Sequence, residues 1–216
     1  MRTVPKEKAE STRKKIIETC RQLFYQSGYV KVTMSDVARQ LGMSKKTLYQ
    51  YFDSKAAIIK EISRSFSDEL GAGVEEIVGD ASLEYPVKLR KMLNFVAMKL
   101  SGINHSLMED VRKKLPEVWR ELNRFKMDGA FRRFDRLIRE GVEKGMIGDR
   151  VNPEIVVALY ACAIQNLLDP NFGKNNLPPD MNAALPKDPA VIFDNLINII
   201  YEGILVDEAK RRFRMA

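Results

Sequence analysis

The chain is poor in the residues that most often carry chemistry. It has one histidine, His105, two cysteines and one tryptophan among 216 residues. No Ser/His/Asp or Cys/His set stands around that histidine, which reads as a surface or loop residue. HExxH, GxGxxG and P-loop patterns are missing too, as is any cluster of metal ligands. An enzyme is therefore disfavoured, and no catalytic residue, metal site or cofactor is expected. Cys20 and Cys162 lie in separate apolar stretches without CxxC spacing, so both read as buried, reduced thiols of a cytoplasmic protein. Long hydrophobic runs are also lacking. The run Ile155 to Leu168 is uncharged for only 14 residues and includes Gln165 and Asn166, short of the roughly 20 needed to span a bilayer. The first residues are charged and carry no apolar signal segment, so neither secretion nor a membrane is expected.

What is present is a chain long enough to bury a core, with an ordinary hydrophobic fraction of 45% and a formal charge of +7. The charge is lopsided. Residues 1–70 hold 14 Lys and Arg against 8 Asp and Glu, whereas residues 71–216 hold 22 against 21. A polyanionic partner at the first end follows, and nucleic acid suits it better than membrane because no lipid-facing stripe accompanies the charge.

The basic end contains TMSDVARQLGMSKKTLYQYFDSK, Thr33 to Lys55. Thr33 is a hydroxyl residue before a helical run and can cap it. Val37, Ala38 and Leu41 recur at helical spacing, and Gly42 supplies a residue able to take positive φ at the helix end. Ser44 is a second cap, opening a helix over Lys45 to Phe52 in which Leu48 and Phe52 point inward and Lys45, Lys46, Thr47, Tyr49, Gln50 and Tyr51 stay largely outside. Asp53 or Ser54 caps a third helix, which begins with Lys55. The pattern is a helix-turn-helix with a basic second helix. Thr33, Val37-Ala38, Leu41-Gly42-Met43-Ser44, Thr47-Leu48-Tyr49, Tyr51-Phe52 and Lys55 together resemble the DNA-binding signature of the TetR family of bacterial transcriptional regulators. The resemblance is close over roughly residues 11–59 and only architectural beyond.

It implies double-stranded DNA as partner. Lys45, Lys46 and Gln50 are the candidates for base edges, since lysine can donate to guanine O6 and N7 and glutamine can pair with adenine. Thr33, Ser35, Ser44, Thr47, Tyr49, Tyr51 and Lys55 complete the expected DNA-binding set, chiefly as phosphate contacts. Lys55→Ala would then lower the salt slope of binding by about one unit. One reading helix covers few base pairs, so a palindromic operator bound by a homodimer is expected.

The fold class read from the sequence is all-α, with an N-terminal helix-turn-helix head over residues 1–54 and a C-terminal helical bundle for effector binding and dimerisation over 55–216. Ser11 or Thr12 is placed to cap the first helix, which Gly28 ends. A long helix follows Lys55, interrupted at Gly71 and Gly73. Another long helix runs from Pro116 to the Gly145-Met146-Ile147-Gly148 stop, its basic face of Arg132, Arg133, Arg136 and Arg139 interleaved with acids. The helices near 154–168 and 189–209 are apolar on more than one face and need cover from a second chain. Ile155, Leu159, Cys162, Ala163, Leu196, Ile200 and Ile204 are the dimer candidates, in the helices through which TetR-like proteins dimerise. The resemblance also implies a small-molecule effector, apolar or amphipathic, with Met92, Phe95, Val96, Met98, Met108, Trp119, Phe131, Phe134 and Tyr160 as candidate lining. A repressor released by that effector is the leading expectation. The alternative is a DNA-bound adaptor of the same fold that recruits a protein and has no effector.

Overall fold

The structure, a computed structural model, describes residues 6–103, 105–148, 150–167, 175–186, 188–204 and 207. The helices are α1 (Lys6–Ser27), α2 (Met34–Gln40), α3 (Lys45–Tyr49), α4 (Lys55–Gly79), α5 (Tyr85–Ser101), α6 (His105–Lys114), α7 (Pro116–Phe125), a π-helical turn (Lys126–Ala130), α8 (Phe131–Glu143), α9 (Pro153–Leu167), α10 (Pro179–Ala184) and α11 (Pro189–Ile204). No strand occurs among the described residues, and none of their helices is long and apolar enough to cross a membrane. The fold is all-α.

Local chemistry sets the boundaries at the first end. α1 is already helical at Lys6, ahead of both expected caps Ser11 and Thr12, and Thr12 Oγ1 donates back to Lys8 O at 2.9 Å inside the helix. Gly28, at φ +82°, ends α1 with its amide on Phe24 O at 2.9 Å. Gly42 takes φ +62° between α2 and α3. Ser54, one of the two expected caps, accepts from the Ala57 amide at 3.1 Å. Residues 1–5 and 208–216 lie outside the described residues.

By compactness the chain divides into two units, one of residues 1–68 with 103–123 and one of 69–102 with 124–216. The first unit thus extends well beyond the 1–54 segment expected to bind DNA. Ile16, Cys20 and Phe24 of α1, Val37 and Ala38 of α2, Leu48 of α3, and Ile58, Ile59 and Ile62 of α4 form its core with Leu107 and Val111 of α6 and Val118 of α7. Burial pushes the Cys20 thiol up to about 12, so it is inert at neutral pH.

In the second unit α11 packs on α5 and α9, and α8 on α9 and α5. α4 runs unbroken past Gly71 and Gly73. These glycines serve close approach, since a Cβ at Gly73 would overlap the Phe95 ring and Gly71 leaves room for the Arg133 guanidinium and the Phe125 ring. The helix expected from Pro116 onward is broken by the π-helical turn, and Gly145, at φ +64°, ends α8. Three of the four arginines on the basic face of α8 are paired within the chain. Arg133 and Arg136 both reach Glu75, at 3.2 and 2.7 Å, and Arg139 reaches Asp135 and Glu154. Lys88, 5% exposed, keeps its charge compensated by Glu140 Oε1 at 3.4 Å. Burial raises the Glu140 carboxyl pKa, but Lys144 and Lys88 together hold it below the usual carboxylate value.

Candidate nucleic-acid interface

The site is built on two capped helices. Thr33 caps α2 through a capping box, accepting from the Asp36 amide at 3.2 Å while Asp36 Oδ2 accepts from the Thr33 amide at 3.0 Å. The same hydroxyl donates to Asp36 Oδ2 at 2.6 Å. These bonds from Thr33, with Arg39 beside it, hold the Asp36 carboxyl below its ordinary pKa. An O–H donates once, so in this arrangement Thr33 anchors a helix end and has no hydrogen left for a phosphate. Ser44 Oγ caps α3 by accepting from the Thr47 amide at 3.0 Å and lies 2.9 Å from Thr47 Oγ1. Leu48, wholly buried, seats α3 on the core.

That seating decides what α3 shows to solvent. Lys45, Lys46, Tyr49 and Gln50 are exposed, as are Ser35 and Ser44, while Thr47 and Tyr51 are half-buried and Tyr51 packs on the core. The helix is shorter than the sequence suggests, Lys45–Tyr49, with Gln50 as its C-cap and Phe52 already beyond it. The structure therefore brings the three base-edge candidates together on one exposed element.

Two basic residues have other occupations. Arg13 of α1 donates from Nη1 to Tyr51 O at 2.9 Å, is ion-paired with Glu61, and stacks 4.1 Å over the Phe52 ring. It locks the chain just after α3 to α1 and α4. No sequence signal singles it out, because its partners lie 38 and 48 residues away. Lys55, expected as a phosphate contact, donates from Nζ to Tyr29 O at 2.6 Å and Val32 O at 2.7 Å and stands 4.1 Å over the Tyr29 ring. Burial lowers its pKa while the Asp110 charge opposes that shift. With two of three donors spent on carbonyls, the ammonium holds a turn in place. The expectation for Lys55→Ala changes accordingly. The variant should unfold at lower temperature and bind DNA more weakly, with the salt slope within error of the parent; a slope reduced by one would restore the phosphate contact.

The effector candidates do not gather in one unit. Met108 and Trp119 belong to the first unit, where Trp119 packs on the core. In the second, Met92, Phe134 and Tyr160 are buried, with the Phe134 and Tyr160 rings 4.3 Å apart, and Phe95, Val96 and Phe131 are half-buried. Met98 is 64% exposed. Of the dimer candidates, Ile155 and Leu159 are exposed on α9, as is Cys162, which corrects its reading as a buried thiol. Ala163 and Leu196 are half-buried, and the side chains of Ile200 and Ile204 lie outside the described set.

Residues 16–62 match the family model for bacterial regulatory proteins of the tetR family. The chain belongs to the TetR family. The HTH-type transcriptional regulator YvaF of Bacillus subtilis (strain 168) is 25% identical to this TetR-family chain over 196 residues, which span 90% of this chain and 96% of the relative. The TetR family regulator PfmR from Thermus thermophilus superposes with a TM-score of 0.62 at 25% identity, over 87% of this chain and 97% of PfmR. SmeT, solved as a complex with triclosan, gives a TM-score of 0.65 over 92% of this chain and 94% of SmeT, and at 16% identity that likeness is one of fold. The chain is a DNA-binding transcriptional regulator with a helix-turn-helix.

Proposed function

We propose that this TetR-family regulator is a repressor that binds a palindromic operator as a homodimer and is released by a small apolar or amphipathic effector. The observation that carries the DNA half of this reading is the exposure of Lys45 and Lys46 on α3 and of Gln50 at its C-cap, on a helix fixed beneath by Leu48 and at its start by Ser44. Lysine and glutamine on one short helix are the side chains that donate to purine edges in the major groove. Ser35, Thr47, Tyr49 and Tyr51 stand around them as backbone contacts. A two-fold dimer sets two such helices into successive major grooves, roughly 34–36 Å apart.

The dimer is supported by the exposed apolar residues of α9 and α11, and the effector by SmeT, a protein of the same fold that takes a small molecule. Effector binding alters the spacing of the two reading helices, which requires different effector affinities in the DNA-bound and released states. The test is selection from a random pool of duplexes with the full chain. Recovered sequences should share an inverted repeat, and small-molecule amphiphiles should then be screened for release of that duplex. A pool no different from its input would end the operator reading. A duplex that no small molecule releases, yet that a captured protein holds jointly with the chain, would favour the adaptor.

A further inference from the structure

The turn between α1 and α2 is gripped from the far side of the sequence. Val30 donates its amide to Asp110 Oδ2 at 2.8 Å, across 80 residues. Asp110 lies on α6 between Leu107 and Val111, both buried in the core of the first unit, so the carboxylate is carried by a helix that cannot swing away freely. Gly28, the first residue of the turn, fits closely against the same helix. A Cβ there would stand 2.7 Å from Ser106 Oγ and 3.1 Å from Asp110 Oδ2. From the other side Lys55 donates to Tyr29 O and Val32 O, which flank the amide that Asp110 takes.

Four consecutive residues, Tyr29 to Val32, are thus held by one acid from α6 and one lysine from α4. They lead directly into Thr33, the cap of α2, and α2 packs on α3. Nothing in the turn itself makes these bonds necessary, since Val30 is exposed and its amide could be satisfied by water. We propose that Asp110 is a positioning residue for DNA recognition: by holding the Val30 amide it sets where α2 and α3 stand when α3 enters the groove. Segment 103–123 then acts as part of the DNA-reading unit without touching DNA. A reading helix needs placement to within about 0.5 Å for several side chains to meet base edges together. This proposal rests on α3 as the reading element.

The experiment uses the full chain and the duplex that the parent protein recovers from a random pool, with affinity measured by fluorescence anisotropy across a salt series. Asp110→Ala should bind about tenfold more weakly, the scale of losing one charge-assisted hydrogen bond, and its salt slope should match the parent because no phosphate contact is removed. Asp110→Asn keeps an oxygen acceptor facing Val30 and should stay within about threefold of the parent. Parent-like affinity in the alanine variant, or an asparagine variant as weak as alanine, would overturn the proposal. Amide exchange at Val30 gives a second reading that needs no variant to fold. The parent should protect this exposed-turn amide, and free exchange there would show that the grip does not exist. Should the parent recover no duplex at all, the operator reading fails, and Val30 exchange still decides the grip.

Discussion

Leu159→Glu is expected to leave the chain folded but monomeric, with affinity for a palindromic duplex reduced by roughly a hundredfold or more, the range over which two linked heads gain from binding together. The residue is 65% exposed in the single chain, with Ile155 at 59% and Cys162 on the same side of α9, at steps of four and three. Val156 and Tyr160, one residue along from Ile155 and Leu159, are buried. One side of α9 therefore faces the interior of its own unit, and the other presents large apolar side chains to water. α11 repeats the arrangement, with Ile197 buried and Val191 and Ile199 exposed, Ile199 at 69%.

Fully burying a leucine or isoleucine side chain contributes about 1.5–3 kcal/mol, and a two-fold interface counts each such contact twice. A glutamate at Leu159 removes that gain and brings two like charges towards one seam. Its effect on the isolated fold should be small, because substitutions at exposed positions usually stay within about 0.5 kcal/mol. Assembly and folding can then be read separately. Light scattering should report half the parent mass, the thermal midpoint at matched dimer-free dilution should be unchanged, and palindrome binding should collapse while a single half-site is still held weakly. A Leu159→Glu protein that remains dimeric would place the interface elsewhere.

The helix-turn-helix was legible because its determinants are local. A hydroxyl before a helix and a glycine after one act within four residues, and Thr33, Ser44, Gly28 and Gly42 do in the fold what their types suggest. Arg13, Lys55 and Asp110 were not legible in the same way. Each is a charged residue in a basic or mixed stretch, and only the pairing of distant segments turns it from a solvated charge into a brace. The same non-locality hid the membership of residues 103–123 in the first unit, since an apolar stripe on α6 says that something will cover it without saying what. The break at Lys126–Ala130 left one trace, the step of six from Phe125 to Phe131, which an α-helix of 3.6 residues per turn does not keep on one face. Effector residues were the least legible, because a ligand pocket and a plain core are built from the same apolar side chains. Here Trp119 packs against the core of the first unit.

Gly141→Ala is expected to lower the thermal midpoint, although helix propensity alone argues the reverse. Gly141 lies inside α8, where alanine is favoured over glycine by about 1 kcal/mol. The space for a methyl group is already taken, because a Cβ at Gly141 would overlap both the hydroxyl and the ring of Tyr85. Tyr85 is only 2% exposed and sits at the start of α5 beside Pro86, so the ring has no solvent to move into. Overpacking of this kind costs about 1–3 kcal/mol and sometimes more. Added to a ring that cannot yield, it outweighs the propensity gain, and a fall of several degrees follows at roughly 2–4 °C per kcal/mol for a chain of this size. The control is Gly79→Ala, the same exchange in α4 with nothing within 4 Å of the new Cβ, which should be neutral or stabilising. Tyr85→Phe supplies the other half of the cycle. The Tyr85 hydroxyl is buried and has no hydrogen-bond partner among the described residues, so its removal should not destabilise and should relieve part of the loss in the Gly141→Ala background. A Gly141→Ala protein more stable than its parent would mean that α5 and α8 do not approach this closely. The arrangement of the second unit around Tyr85 would then have to be redrawn.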